Sequence, residues 1–564
     1  MRVNLNNTMI FVGQARPSRI ALAAVVVWLG LCGGCRAKKA APTVARPAAG
    51  ADLTPLRLPP PPAETLPEPA AVPVPTHRGG TLRVHLDAEP ANLLPLAESD
   101  AAAAQVTGGL VYETLLDCRD GSYRPGLAES WDVSNDGMRL AVRVRSGVHW
   151  HDHRAFGVLD VQATVEPLLR AGTDAPVLRA ELADVASIEL VTERTVRFVL
   201  KRPSDFALRA LCDVPMLPDH LVRGVRPESS PIARQPIGTG PFRFAGWEHG
   251  KRIRLERVPE YWGSPAAIDE IIFDLDADAV RALNRTRRGE IDVLPRVLDV
   301  HYPEQVEPTT LHGATNLIRL RSRRYSFLVV NHLHYPLSDP RFRRALAGLW
   351  DRQRFAGELH NDLATPIGGP PLEGDPPPPP FDRHRVATAL DDAGYRDTDA
   401  DGVRDHLGRP IRLTMLEPAG NRPFHVEAHG FALEARKVGV LVDLVPADGA
   451  TILARLKHGE FDLVPMIWEG APDEDPATLY GSGGAFNFGG YRSSALEALI
   501  DEARGAAGAA PRAPILGRIA RLLGDDQPAI FLYRYDVPAL VATRVHGLAA
   551  VGDRLDFRRV WLDL

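Results

Sequence analysis

Three groups of side chains have the types and spacing to hold a metal ion. His149, His151 and His153 recur at every second residue in His149-Trp150-His151-Asp152-His153. That period puts all three imidazoles on one face if the segment is a strand, and three imidazoles suffice for zinc or nickel. A turn at Asp152 would undo the alignment. His425 and His429 stand four residues apart on a helical pattern. A zinc-protease helix needs Glu directly after the first His, and here Val426 follows. Phe424, Ala428, Phe431 and Ala435 form the apolar stripe of that helix, which leaves both imidazoles on its flank as a solvated face. Asp397, Asp399 and Asp401 precede Gly402 as in the first half of a calcium loop, but the twelfth position, where a bidentate acid is due, is Gly408. Asp and Gly suit a turn in their own right. No metal site and no cofactor are therefore expected. Nor is an enzyme: there is no Gly-x-Ser-x-Gly, no Walker A segment and no nucleotide fingerprint.

The elements around these residues describe an exported chain with a leader and a folded body. Arg16 and Arg19 precede an apolar run from Ile20 to Cys32. The run suits the core of a signal peptide and is short of the ~20 residues of a membrane span. Leu31-Cys32-Gly33-Gly34-Cys35 resembles a bacterial lipobox, with small residues before Cys35, the residue expected to carry the lipid. Residues 36–77 are rich in Ala and Pro, including Pro59-Pro60-Pro61-Pro62. Such a segment buries too little apolar surface to offset chain entropy and reads as an extended tether. Two cysteines remain beyond Cys35, Cys118 and Cys212. In an oxidising compartment they form a disulfide or stand as two buried thiols, and spacing alone does not decide between these. The charge, 66 − 71 = −5, is mild and its signs are interspersed, so no nucleic-acid partner is expected.

From Gly79 onward strands and helices alternate, which indicates α/β domains. Residues 81–86, 138–144 and 195–200 alternate like strands, and 161–169 is helix-like. Residues 339–358 read as one amphipathic helix with Phe342, Ala345, Leu346 and Leu349 inward. Ser494-Ala495-Leu496-Glu497 reads as a capping box opening a further helix. Residues 529–535 form a late strand.

A series of short motifs then appears in a characteristic order. Gly79-Gly80-Thr81-Leu82-Arg83-Val84 is followed by Asn92-Leu93-Leu94-Pro95, Val111-Tyr112-Glu113-Thr114-Leu115-Leu116 and Trp150-His151-Asp152. Next come Pro236-Ile237-Gly238-Thr239-Gly240-Pro241-Phe242, Pro259-Glu260-Tyr261-Trp262 and Gly289-Glu290-Ile291-Asp292. The last is Trp468-Glu469-Gly470-Ala471-Pro472-Asp473-Glu474-Asp475-Pro476. In these the chain resembles family 5 of the extracellular solute-binding proteins, the oligopeptide, dipeptide and nickel binders, from about Gly79 almost to its C-terminus.

The resemblance implies an α/β, two-lobed, periplasmic-binding-protein-like fold of three domains with a ligand cleft between the lobes. Domain I would comprise residues 78–113, 236–320 and 527–564, domain II residues 114–235 and domain III residues 321–526. Residues 1–35 would be the signal peptide. The implied role is ligand capture by lobe closure for an ABC importer, by a lipid-anchored extracytoplasmic monomer whose partners are a peptide or peptide-like solute and the permease subunits. Sensing with the same fold, or binding a non-peptide solute such as a metal chelate, are the alternatives; a metalloenzyme would need one of the histidine groups loaded. Peptide-binding relatives hold an extended ligand between two segments. These correspond here to Glu98, Ser99, Asp100, Ala101 and the following Ala102, and to Ile467, Trp468, Glu469 and Gly470. Relatives place an Asp three residues after the Trp to meet the ligand's ammonium. Ala471 stands there, so Asp473 is expected to take that role. Both segments are acidic, which favours a cationic or zwitterionic ligand.

Overall fold

The computed structural model describes residues 3–4, 9–10, 78–96, 101–119, 122–170, 175–226, 229–298, 301–306, 311, 314–374, 376–470, 473–552 and 554–563. The lipobox with Cys35, the tether, and Glu98, Ser99 and Asp100 lie outside them. No helix among the described residues is long and apolar enough to cross a membrane.

The body is built on one large mixed sheet. Its first half runs Phe242–Glu248, Arg252–Arg257, Glu270–Leu275, Thr81–Leu86 and Val293–Leu294. Its second half gathers Leu463–Glu469, Arg412–Pro418 and Leu441–Ala447. Two long strands, Thr315–Val330 and Ala529–Ala542, pair antiparallel and join the halves. Val293 and Leu294 pair with Val541 and Leu540, whereas Leu463–Glu469 pairs with residues 324–330. The register between the long strands breaks between Arg321 and Tyr325 and again between Ser326 and Phe327. A bulge of this kind bends and twists a strand locally.

Apolar residues alternate or recur with the period of each element and bury one face. Leu82, Val84, Ile253, Leu255, Ile271 and Phe273 make the core of the first half. The second half has two cores, one around Trp350, Phe424, Phe431 and Leu413 and the other around Phe327, Trp468, Ile500 and Phe531. A separate four-stranded antiparallel sheet orders Ala128–Val133, Arg139–Val144, Thr195–Leu200 and Val185–Thr192. The helix Val158–Leu169 covers it through Val161, Val165 and Leu168.

Two helix readings need correction. Residues 339–358 are not one helix. Pro340–Ala347, capped by Asp339, ends at Gly348, and Asp351 opens Arg352–His360 by accepting from the Arg354 N–H at 3.3 Å. Phe342, Ala345, Leu346 and Leu349 before and after the break join Phe355 and Ala356 in one core, so the apolar pattern alone conceals it. The helix Ser494–Gly505 is capped by Ser493, whose Oγ accepts from the Leu496 N–H. Glu497 does not close a capping box; its carboxylate accepts from the Ser482 N–H at 2.7 Å.

Cys118 and Cys212 are joined as a disulfide, Cα–Cα 5.7 Å, across 94 residues of sequence. The bridge ties the hairpin Leu116–Arg119 and Ser122–Pro125 to the turn after the helix Asp205–Ala210. A loop of this length removes much chain entropy from the unfolded state. Replacing both cysteines by Ser is expected to cost about 2–4 kcal/mol, read as a lower denaturant midpoint; reducing agent should lower the parent's midpoint equally and leave the variant's unchanged.

Candidate ligand-binding site

Several of the shared motifs meet one another rather than a ligand. Glu113 accepts hydrogen bonds from Thr239 Oγ1 (2.9 Å), Tyr261 Oη (2.6 Å) and Trp262 Nε1 (2.8 Å). Burial raises its carboxyl above the usual range, although all three donors work against the shift. Gly238 and Gly240 run against the chain at Leu110 and Val111. A Cβ on Gly238 would stand 1.8 Å from the Val111 carbonyl oxygen, so no other residue fits there.

His151 belongs to the same joint. Its Nε2 donates to the Gly240 carbonyl at 3.0 Å, and its Nδ1 accepts from the Gly238 N–H at 3.3 Å. Burial lowers its pKa to about 4, so it is a neutral packing residue. Residues 151–153 form a turn, with His153 at φ 67°. The strand face that would align His149, His151 and His153 is therefore not formed. In the loop after Asp397, that residue's carboxylate accepts from the Ala400 and Gly402 N–H groups, as a turn requires.

The cavity lies elsewhere, with a volume of about 140 Å3. Its wall is drawn from five separate stretches of chain: Pro95 and Ala104; Glu181, Phe206, Arg209 and Asp213; Arg323; Glu469, Gly470, Glu474 and Thr478; and Arg554. The charges in and around it are mostly paired. Arg209 binds Asp213 and, at 3.1 Å, Asp473. Arg512 is fully enclosed; it binds Asp205 and Tyr123 and lies 3.5 Å from Asp473. Arg504 bridges Asp475 at 2.9 Å and Asp184 at 3.3 Å. Arg554 reaches Glu469 at 3.4 Å.

Two carboxyls in the wall have no cationic partner within ion-pair distance among the described residues. Glu474 accepts from Trp468 Nε1 at 2.9 Å. Glu181 has a buried Oε2 with no hydrogen-bond partner. Burial pushes each carboxyl up to about 8; nearby Asp213 adds to this at Glu181. Both are thus predominantly neutral at pH 7 while the cavity holds no cation. On the basic side, burial lowers the pKa of Arg323 and so does Arg554 beside it, against the pull of Asp213 and Asp473. The cavity therefore offers carboxyls that gain from a cation and guanidinium groups that gain from an anion.

The sequence candidates fall on both sides of this wall. Glu469 and Gly470 line the cavity. Gly470 is required there, because a Cβ would stand 2.0 Å from the Glu474 carboxylate. Trp468 is fully buried in the core and acts through its N–H to Glu474. Asp473, the candidate for a ligand's ammonium, is engaged by Arg209 and Arg512. Ala101 opens the helix Ala101–Thr107, and Ala104 one turn later is the helix residue in the wall. Sequence reading missed Glu181, Arg209, Asp213, Arg323 and Arg554, which no motif marks. Glu474 was visible only as one of several acids after Trp468.

The strand Leu463–Glu469 leads into the cavity. One edge pairs with the long strand at 324–330. At Ile467 and Trp468 the other edge takes a short antiparallel segment, Val3–Asn4, from the chain's own N-terminal end. That edge accepts extended backbone.

The family model for bacterial extracellular solute-binding proteins, family 5, middle region, matches residues 122–490. The chain belongs to that family. This solute-binding protein is 28% identical over 433 residues to di/tripeptide-binding protein 2 of Pseudomonas aeruginosa (strain UCBPP-PA14), covering 69% of this chain and 76% of that protein. Among solved structures it is similar to the oligopeptide-binding protein AppA of Bacillus subtilis in complex with a nonapeptide, with a TM-score of 0.69 and 21% identity over 87% of this chain and 100% of that one. It is likewise similar to NikA of Brucella suis in complex with Fe(III)-EDTA, with a TM-score of 0.72 and 22% identity over 86% and 100%. The fold is the two-lobed one of these binding proteins. The matched family is one of extracellular solute-binding proteins, and the relatives named here are binding proteins rather than enzymes.

Proposed function

We propose that the protein captures short peptides, or peptide-like zwitterions, with a free N-terminus and delivers them to an ABC importer. The observation that carries this reading is the pair of buried carboxyls, Glu474 and Glu181, in the cavity wall, neither with an ion-pair partner among the described residues and the latter with an orphaned oxygen. A buried acid without a partner is costly, and a ligand ammonium supplies both the charge and the donors. Arg323, in the same wall, would face the ligand's carboxylate. The ligand backbone would run along the edge of Leu463–Glu469 at Ile467 and Trp468 as an added strand. Removal of the signal peptide before Cys35 takes residues 3–4 away and opens that edge.

In this reading domain II (114–235) and domain III (321–526) close on the ligand, and the register break at Arg321–Tyr325 lets the long strands bend. Arg209, Arg504 and Arg512 bridge the two segments in the closed form. The experiment is mass spectrometry of small molecules released by denaturing the purified protein, followed by calorimetry with di- to pentapeptides. Short peptides are expected in both. Recovery of a metal chelate with no peptide hit would replace this ligand class by the non-peptide alternative.

The protein is held at the membrane by diacylated Cys35, and residues 36–77 lift the binding body clear of it. Each buried methylene contributes ~0.8 kcal/mol, so two chains anchor stably. Cys35→Ser is expected to release the protein from membranes. A variant as membrane-bound as the parent would refute the anchor without touching the ligand assignment.

A further inference from the structure

We propose that Glu417, His425 and His429 form a binding site for a divalent cation of the zinc–nickel class, outside the peptide cavity. One ligand atom from each of the three lies within 4.8 Å of the other two. Their placement follows from the packing. Asn421 caps the helix Arg422–Lys437 by accepting from the Phe424 N–H at 3.1 Å. Phe424, Ala428, Phe431 and Ala435 then seat it in the core formed with Leu413 and Met415 of the strand Arg412–Pro418. That docking brings His425, one residue after Phe424, against Glu417 near the strand's end, and puts His429 one turn along. The two rings are 4.0 Å apart between centroids.

The protonation pattern leaves ligand atoms available. His429 Nδ1 lies 2.9 Å from the His425 carbonyl oxygen. A carbonyl only accepts, so Nδ1 carries the proton and Nε2 keeps a free lone pair. A carbonyl partner of this kind also orients a metal-binding imidazole. Glu417 is buried, 6% exposed, and among the described residues its carboxylate has one partner, the His425 ring. A buried carboxylate held by one exposed imidazole is an incomplete anion site. A divalent cation can take the place of the proton that Glu417 and His425 share, with His429 Nε2 as third ligand and water completing the shell. Two imidazoles and one carboxylate suit zinc or nickel, whereas calcium and magnesium prefer all-oxygen sites. The rings are exposed at the helix flank, so they can close the remaining distance to the ~2.0–2.2 Å of metal bonds by side-chain rotation. Bound there, the cation would fasten the end of the strand to the first turns of the helix.

The test is titration of the chelator-treated full-length protein with zinc chloride, and separately nickel chloride, in competition with a chromophoric chelator. One saturable site per chain is expected. His425→Ala with His429→Ala should abolish it, and Glu417→Gln should weaken it about 10–100-fold. His429→Ala alone changes an exposed side chain and leaves the Glu417–His425 pair intact, so its melting without metal should match the parent's while its zinc affinity falls. X-ray absorption at the zinc edge should show two imidazole ligands at about 2.0 Å. Absence of saturable binding overturns the proposal. So does a double-His variant that binds zinc as tightly as the parent, because the ion would then sit elsewhere. Peptide affinity is a separate readout and should be unchanged in these variants.

Discussion

Glu474→Gln is expected to weaken binding of a peptide with a free N-terminus by two orders of magnitude or more. Gln keeps the acceptor for Trp468 Nε1, which lies 2.9 Å from Glu474 Oε1, so the fold should be retained. It removes the charge that a desolvated ammonium needs, and a buried charge that loses its partner typically costs ~3–5 kcal/mol. The pH dependence follows from the same group. Glu474 and Glu181 titrate near 8 in the free cavity, above the ordinary range of about 4.3 for Glu. A carboxyl raised in this way stabilises the ligand-free fold fully below its unfolded pKa. That contribution is lost as pH rises through about 8. Binding an ammonium requires the ionised carboxylate, so it releases a proton at neutral pH. Affinity should therefore rise between about pH 6 and 8, by up to about tenfold per unit for each proton released. It should level off or fall above that, where the ligand's own α-amino group, at about 7.7–8.0, loses its charge. Calorimetry across this range, on parent and variant, checks both points. An affinity in Glu474→Gln within about threefold of the parent, with the same pH profile, would remove Glu474 from the ammonium site. Asp473→Asn is the contrasting variant, since Asp473 already has two guanidinium partners.

Arg512→Leu is expected to destabilise the protein by about 3–5 kcal/mol. Its guanidinium is fully enclosed, bonded to Asp205 and Tyr123, near Asp473, and 5.0 Å from the Phe206 ring. Removing one member of such a group leaves the acids without their compensating charge. The loss should appear in the denaturant midpoint. Adding Asp205→Asn to the variant should recover part of it, as a coupled pair requires. A loss below about 1 kcal/mol would mean that water already reaches these charges.

Residue 512 carries no sign of this role in the sequence. It sits in a helix among Ala, Pro and Leu, with no motif nearby, and its partners are more than 300 residues away at Asp205 and Tyr123. The same holds for Glu181 and Arg554. A short motif records neighbours along the chain, and the cavity wall is made by neighbours across it. This is also why Glu417 escapes notice beside His425 and His429: the helix period places the two imidazoles, and only docking against the strand brings the acid to them.

Local physics settled much else in advance. Alternation and helical period located the strands at 81–86 and 195–200 and the stripe Phe424, Ala428, Phe431 and Ala435, because side-chain direction in a regular element depends on nearby residues alone. The ordered motifs placed the chain in its family, since several of them make one joint around Glu113 that the fold needs whatever the ligand. The sequence also brought Trp468, Glu469 and Gly470 to the edge of the site. Which acid there stays unpaired was beyond it. Asp473 and Glu474 are adjacent and chemically alike, and their difference arises from Arg209 and Arg512 reaching one carboxylate and not the other. Charge in a binding site is decided by pairing and burial, and both are properties of the folded neighbourhood rather than of the residue.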